Sequence, residues 1–154
     1  MKKYMPFAKL KFSEYIRDLT SLGNPIILLF ISFIVLGIQK AFLVIIFGLI
    51  ANEMIGSGIK FFFPKKRPNG QKFKNSLEKI DAGSFPSIHS SRVSFVYLSL
   101  AWNEQVFMIK IVLYLIILIV GYSRIFLKKH YPIDVIGGYG FGLILFYLFN
   151  FIFF

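Results

Sequence analysis

Cysteine is absent from this 154-residue chain, which excludes disulfides, thiolate metal sites and a cysteine nucleophile. Acidic residues are scarce: seven Asp and Glu stand against 18 Lys and Arg, and no compact carboxylate cluster is available to hold magnesium. Histidine occurs only at His89 and His130, so any imidazole chemistry falls on those two positions. There is no internal repeat, no low-complexity linker and no polar stretch that leaves room for a second domain. The lysine-rich start "MKKYMPFAKLKF" is not followed by an apolar core and a small-residue cleavage site, so no secretory signal is expected and the N-terminus is expected to be retained.

What is abundant is apolar surface. The chain is 56% hydrophobic, contains 20 phenylalanines and has a positive mean hydropathy, far from the balance of a soluble domain. In lipid every backbone polar group must be satisfied internally, as helices do. The expected fold is therefore all-α: a single membrane-embedded domain over residues 1–154. Residues 1–22 interleave Lys2, Lys3, Lys9, Lys11 and Arg17 with apolar side chains, predicting an amphipathic helix in the interface. Residues 22–154 predict a bundle of about five transmembrane helices. These run from Leu22–Pro25 to Gln39–Lys40, from Ala41 to Phe63, from Pro86 to Trp102, from Val106 to Phe126, and from Pro132 to the C-terminal "FNFIFF". The stretch 64–85 is basic and rich in turn residues, hence a solvent-exposed loop.

The net charge of +11 fits anionic headgroups or a phosphorylated substrate. Nucleic acid is excluded as a partner, because the aromatics lie in the apolar runs rather than along an exposed basic stripe. The membrane lipids themselves are the expected surroundings, in the cell membrane. Two spans separate the 64–85 loop from the 123–131 loop, so both emerge on one side of the bilayer. Lys65, Lys66, Lys72, Lys74, Lys79, Lys128 and Lys129 join the N-terminal basic residues on that side, against Lys40 and Lys110 on the other. The positive-inside rule then places this face toward the cytoplasm.

That parity gathers Lys60, Arg67, Ser87, His89, Ser123, Arg124, His130 and Asp134 near one interface. Removing a phosphoryl group requires cations around the non-bridging oxygens, an in-line nucleophile and a proton for the leaving oxygen. Lys60, Arg67 and Arg124 can form a cationic cradle, the guanidiniums offering forked donors matched to phosphate. Ser87 opens the third span, where free amides and the helix dipole favour an anion. His130 precedes a helix with Pro132 in its first turn, and Asp134, four residues on, is expected to reach the imidazole and fix its tautomer.

These residues read KxxxxxxRP over 60–68, PSxH over 86–89 and SRxxxxxHxxxD over 123–134. In order and spacing they resemble the three signature motifs of the type 2 phosphatidic acid phosphatase family, lipid phosphatases related to vanadium haloperoxidases. The resemblance covers roughly residues 22–150. It implies a metal-independent hydrolysis without cofactor, in which His130 attacks phosphorus to form a phosphohistidine, Asp134 supports it and His89 protonates the leaving group. It also implies phosphate binding by Lys60, Arg67, Ser87, Ile88 and Arg124. The substrate class implied is a lipid phosphomonoester or polyprenyl diphosphate, with phosphatidate and phosphatidylglycerol phosphate included. The family usually has glycine where this chain has Ile88, which must present its amide from an ordinary backbone angle.

Other features have plainer readings. The loop lysines, Lys65 among them, are expected to be solvated or to touch headgroups. Glu53 and Arg92 lie in spans and serve either function or a structural ion pair. Gly138 and Gly142 form a GxxxG step that predicts close helix packing rather than a nucleotide loop, since no strand precedes it. Trp102 and Tyr131 are expected as aromatic anchors at the interfaces. Two other classes fit part of the pattern: a non-catalytic protein binding anionic lipid, which gives no use for His130 and Asp134 at their spacing, and a vanadate-dependent haloperoxidase, whose relatives are larger and soluble.

Overall fold

The computed structural model describes residues 7–70 and 83–153. Expectations placed on residues 1–6 and on Lys72, Lys74 and Lys79 lie outside the described residues. Within them the chain forms α1 (Phe7–Ser21), α2 (Pro25–Leu36), α3 (Lys40–Phe62), α4 (Ile88–Asn103), α5 (Phe107–Phe126) and α6 (Pro132–Phe153). No strand occurs among the described residues.

Local chemistry sets the helix ends. Asn24 caps α2, its side chain accepting from the Ile26 amide at 2.9 Å, with Pro25 in the first turn. Gly37, at φ 61°, ends the same helix. At the end of α5 the left-handed position is occupied by Lys128, φ 53°, and the Arg124 carbonyl accepts from both the Lys129 and His130 amides. That turn brings the chain back toward the bundle just before α6.

Three helices, α3, α5 and α6, are long and apolar enough to cross a membrane. Their 20–23 residues rise about 30–35 Å, matching a hydrocarbon core of about 30 Å. Phe47, Met54, Leu118, Ile144 and Leu148 stay exposed on their outer faces, as lipid contact requires. A fourth span exists if α1 and α2, bent by 60° at their junction, are taken together. The difference from the expected five lies in α2 and α4. At 12 and 16 residues these rise only about 18 and 24 Å.

α4 is the centre of the bundle and touches α2, α3, α5 and α6. A helix surrounded by protein needs no lipid-facing apolar surface, which is why it tolerates buried Ser90, Ser91, Ser94 and Ser99. Their hydroxyls are satisfied locally: Ser99 donates to the Phe95 carbonyl at 2.8 Å, and Ser91 accepts from Asn52 of α3 at 2.7 Å. The α4–α6 contact is as close as the GxxxG step predicted. A Cβ on Gly138 would lie 2.5 Å from the Ser87 carbonyl oxygen, and one on Gly142 2.3 Å from that of Ser91. Leu28, Ile45, Val93, Val96, Leu100 and Val120 fill the core around α4.

α1 packs on the last turns of α5. Phe12 meets Phe126 edge-on at 5.4 Å, while Thr20 and Ser123 share a hydrogen bond of 2.6 Å. Eight residues of α1 thus pass over three of α5, so α1 crosses the end of α5 instead of running along it.

Candidate active site

Every residue singled out for phosphate chemistry lies at one end of the bundle. Lys60 closes the last turn of α3 and Arg67 follows in the loop beyond it. Ser87 is the N-cap of α4, with Ile88 and His89 its first two residues. Arg124 lies in the last turn of α5, His130 in the link to α6, and Asp134 in the first turn of α6. The α4 start is tied to the α6 start by the Ser87 amide, which donates to the Asp134 carbonyl at 2.9 Å.

Burial here runs against side-chain type. Lys60, Arg124 and His130 are 4%, 7% and 2% exposed, and Asp134 and Ser87 are fully enclosed. The charges of Arg124, Arg67 and Lys60 all act on the His130 imidazole. His89 lies within electrostatic reach of Arg124, Lys60 and His130. Cations gathered beside two imidazoles make the local field one that attracts an anion.

The geometry of His130 fixes its chemistry. Its Nδ1 is 2.7 Å from the Ser84 carbonyl oxygen. A carbonyl can only accept, so Nδ1 carries the proton and Nε2 keeps its lone pair. Burial, and after it the Arg124 guanidinium, push the imidazole down from 6.5 to about 3, although the Ser84 bond works the other way. His130 is therefore a neutral imidazole with a bare Nε2 among cations.

Asp134 corrects one expectation. Its carboxylate does not meet the imidazole: Oδ1 accepts from Lys65 Nζ at 2.6 Å, and Oδ2 accepts from Ser84 Oγ at 2.5 Å and from the Tyr131 amide at 2.9 Å. The reason is helix capping. With Pro132 at the first helical position, Tyr131 is the N-cap and Asp134 sits three residues on, where an acidic side chain folds back to the N-cap amide. The Asp134 amide donates to the Tyr131 carbonyl at 3.0 Å, the backbone bond of the first turn. Asp134 reaches His130 only through Ser84.

Lys65 corrects another. It was expected among the solvated loop charges, yet it pairs with Asp134 and its ammonium sits 5.0 Å over the Tyr131 ring. Neither Lys65 nor Ser84 carried a signal in the sequence, because one is a lysine among many and the other meets His130 through its backbone carbonyl. Ile88 is accommodated as expected, from a helical backbone. Its side chain occupies the space left by Gly56 of α3, where a Cβ would come within 3.2 Å of Ile88 Cγ1. Deeper along α3 and α4, Glu53 and Arg92 form an ion pair through Arg92 Nε.

Fold and site together define a helical membrane protein with a buried cluster of cations and imidazoles at one end of the bundle. The family model described as "PAP2 superfamily" matches residues 41–154, and the chain belongs to that family. It is similar to Phosphatidylglycerophosphatase B of Bacillus subtilis (strain 168), 36% identical over 74 residues, 42% of this chain and 36% of the relative. The match thus spans about a third of that relative's length. Among solved structures, a transmembrane PAP2-type phosphatidylglycerolphosphate phosphatase from Bacillus subtilis superposes with a TM-score of 0.73 at 23% identity, covering 97% of this chain and 78% of its own. LpxE of Aquifex aeolicus gives 0.75 at 21%, covering 96% of this chain and 88% of its own. At these identities the two structures establish the shared fold.

Proposed function

We propose that the protein is a membrane lipid phosphatase that works through a phosphohistidine on His130 without a metal or cofactor. The observation that carries this reading is the Nδ1–Ser84 bond, which leaves Nε2 as a buried, neutral nucleophile beside Lys60, Arg67 and Arg124.

The reaction runs in two balanced steps. The Nε2 lone pair attacks phosphorus as the bond to the lipid oxygen breaks, and His89 gives that oxygen its proton. Lys60, Arg67 and Arg124 hold the non-bridging oxygens and neutralise the charge that spreads over them in the transition state. Ser87 and the Ile88 amide add donors at the α4 N-terminus. The positive charge left on the imidazole is stabilised by the Ser84 carbonyl and, behind it, by Asp134. Water then attacks phosphorus and yields its proton to His89, the N–P bond breaks, and phosphate leaves.

The substrate is a lipid phosphomonoester or polyprenyl diphosphate. The names of the Bacillus subtilis relatives put phosphatidylglycerol phosphate first among these. The chain is a cell-membrane protein whose N-terminal segment lies in the interface on the catalytic side, as the crossing of α1 over the end of α5 supports. The basic residues on that side, Arg17, Lys65, Lys66, Lys128 and Lys129 among them, favour a cytoplasmic site.

The test is phosphate release by purified protein from phosphatidate, phosphatidylglycerol phosphate and a polyprenyl diphosphate, in excess EDTA. Turnover and an acid-labile phosphoenzyme are expected, both lost in His130→Ala. Vanadate should inhibit by occupying the cradle. Near-normal turnover in His130→Ala removes the nucleophile assignment, and activity that needs added magnesium removes the metal-free scheme.

A further inference from the structure

We propose that Lys65 and Ser84 act as positioning residues for the nucleophile, forming with Asp134 a clamp that holds the Ser84 carbonyl where it receives the His130 Nδ1 proton. The proposal rests on His130 being the nucleophile and assigns function to Lys65, at an unspecified position within the first motif, and to Ser84, two residues before the second.

Ser84 is fully buried and is fixed through three of its atoms. Its amide donates to the Lys65 carbonyl at 2.7 Å, its hydroxyl donates to Asp134 Oδ2 at 2.5 Å, and its carbonyl accepts from His130 at 2.7 Å. Lys65 closes the ring from the other side, its backbone holding Ser84 and its ammonium holding Asp134 Oδ1 at 2.6 Å. Lys65 follows α3 and Ser84 precedes α4, so the clamp fastens these two flanking stretches onto the first turn of α6. A carbonyl on a loop is ordinarily among the less fixed groups of a protein. Here each neighbouring polar atom of the residue is committed to a charged or backbone partner.

The chemistry explains why a cation is needed at Lys65. Asp134 is fully enclosed, and its carboxylate bonds to the same residue, Ser84, as the imidazole that must stay neutral before attack. The Lys65 charge balances the carboxylate, while the Ser84 carbonyl presents a dipole to Nδ1 instead of a full negative charge. The nucleophile is thereby oriented without being drawn into the imidazolium form. Lys65 faces Asp134 and the Tyr131 ring, and the cradle cations are Lys60, Arg67 and Arg124. Its role separates from theirs by kinetics: a phosphate ligand acts in ground state and transition state alike, whereas a clamp on the nucleophile acts on the chemical step.

The experiment uses the full chain in detergent micelles or bilayers, with Lys65→Met, Lys65→Arg, Ser84→Ala and the Lys65→Met/Ser84→Ala double variant. Lys65→Met and Ser84→Ala should each lower kcat by about tenfold to a hundredfold, the cost of a slightly misplaced reacting group, with KM held within about twofold. Lys65→Arg should restore most of kcat. Because both residues act through one carbonyl, the double variant should be no slower than about the worse single variant. The hydrogen-bonded Nδ1–H resonance of His130 should move in Lys65→Met and in Ser84→Ala and return in Lys65→Arg. A tenfold rise in KM at unchanged kcat would make Lys65 a phosphate ligand and overturn the clamp, as would multiplicative losses in the double variant. Ser84→Ala removes only a hydroxyl and carries the test even if Lys65→Met does not fold: full kcat in Ser84→Ala overturns the proposal. His130→Ala run alongside separates the two levels. Its activity would remove the nucleophile itself, whereas an inactive His130→Ala with unimpaired Ser84→Ala and Lys65→Met would remove the clamp alone.

Discussion

The sharpest physical consequence of the site concerns the proton on His130. A fall from 6.5 to about 3 corresponds to roughly 5 kcal/mol between its two protonation states. Burial at 2% exposure is the first cause, so little of this is screened by solvent. At pH 5 an ordinary imidazole is almost wholly charged, while His130 in the empty site should be roughly 1% protonated. With histidine at only two positions, 15N-histidine NMR of the protein in micelles gives two residues' signals, assigned with His130→Gln. The His130 pair should show one protonated and one bare nitrogen from neutral pH to below pH 5, with Nδ1 the protonated one. Stability carries the same sign. The folded value is depressed, so as pH falls the unfolded chain takes up the proton first. Stability should decline from near pH 6.5 toward pH 3, and His130→Gln should lose that part of the pH dependence. An added oxyanion that does not bond to Nε2, such as sulfate, should raise the midpoint, because it offsets Arg124, Arg67 and Lys60. A midpoint at or above 6.5 in the empty site, or a proton on Nε2 in the neutral form, would refute both the burial argument and the tautomer derived from Ser84.

Two further expectations follow from packing and topology. Gly142→Ala should destabilise the protein by about 1–3 kcal/mol, since its Cβ would stand 2.3 Å from a backbone oxygen of α4. Gly140→Ala meets nothing within 4 Å and should be neutral or gain up to about 1 kcal/mol in helix propensity, so equal melting shifts for the two would contradict the α4–α6 contact. For orientation, the absence of native cysteine allows Asn75→Cys to be labelled in intact cells with a membrane-impermeant thiol reagent. Protection until permeabilisation is expected, and labelling without it would place the site outward.

Which parts of this site a sequence can express depends on whether side-chain identity or backbone position does the work. The roles proposed for Lys60, Arg67, His89, Arg124 and His130 rest on side chains with few chemical substitutes, and parity of the spans suffices to bring them to one end of the bundle. Gly138 and Gly142 are legible for a similar reason, because only a missing Cβ allows the Ser87 and Ser91 carbonyls so near. The span count was harder. Length and apolarity identify helices that face lipid, and α4 faces protein on nearly all sides, so its serines and its 16 residues follow a different rule. Hardest was the partner of His130. Spacing places Asp134 one helical turn from His130, which predicts contact; but the Pro132 start of α6 makes Asp134 the third residue of that helix and turns its carboxylate back toward the Tyr131 amide. The imidazole is then left to a backbone carbonyl, which every residue possesses and no motif can mark. Only the ring through Lys65, Asp134 and Ser84 makes that particular carbonyl different from the others, and the ring exists once the stretch after α3 has met the one before α4.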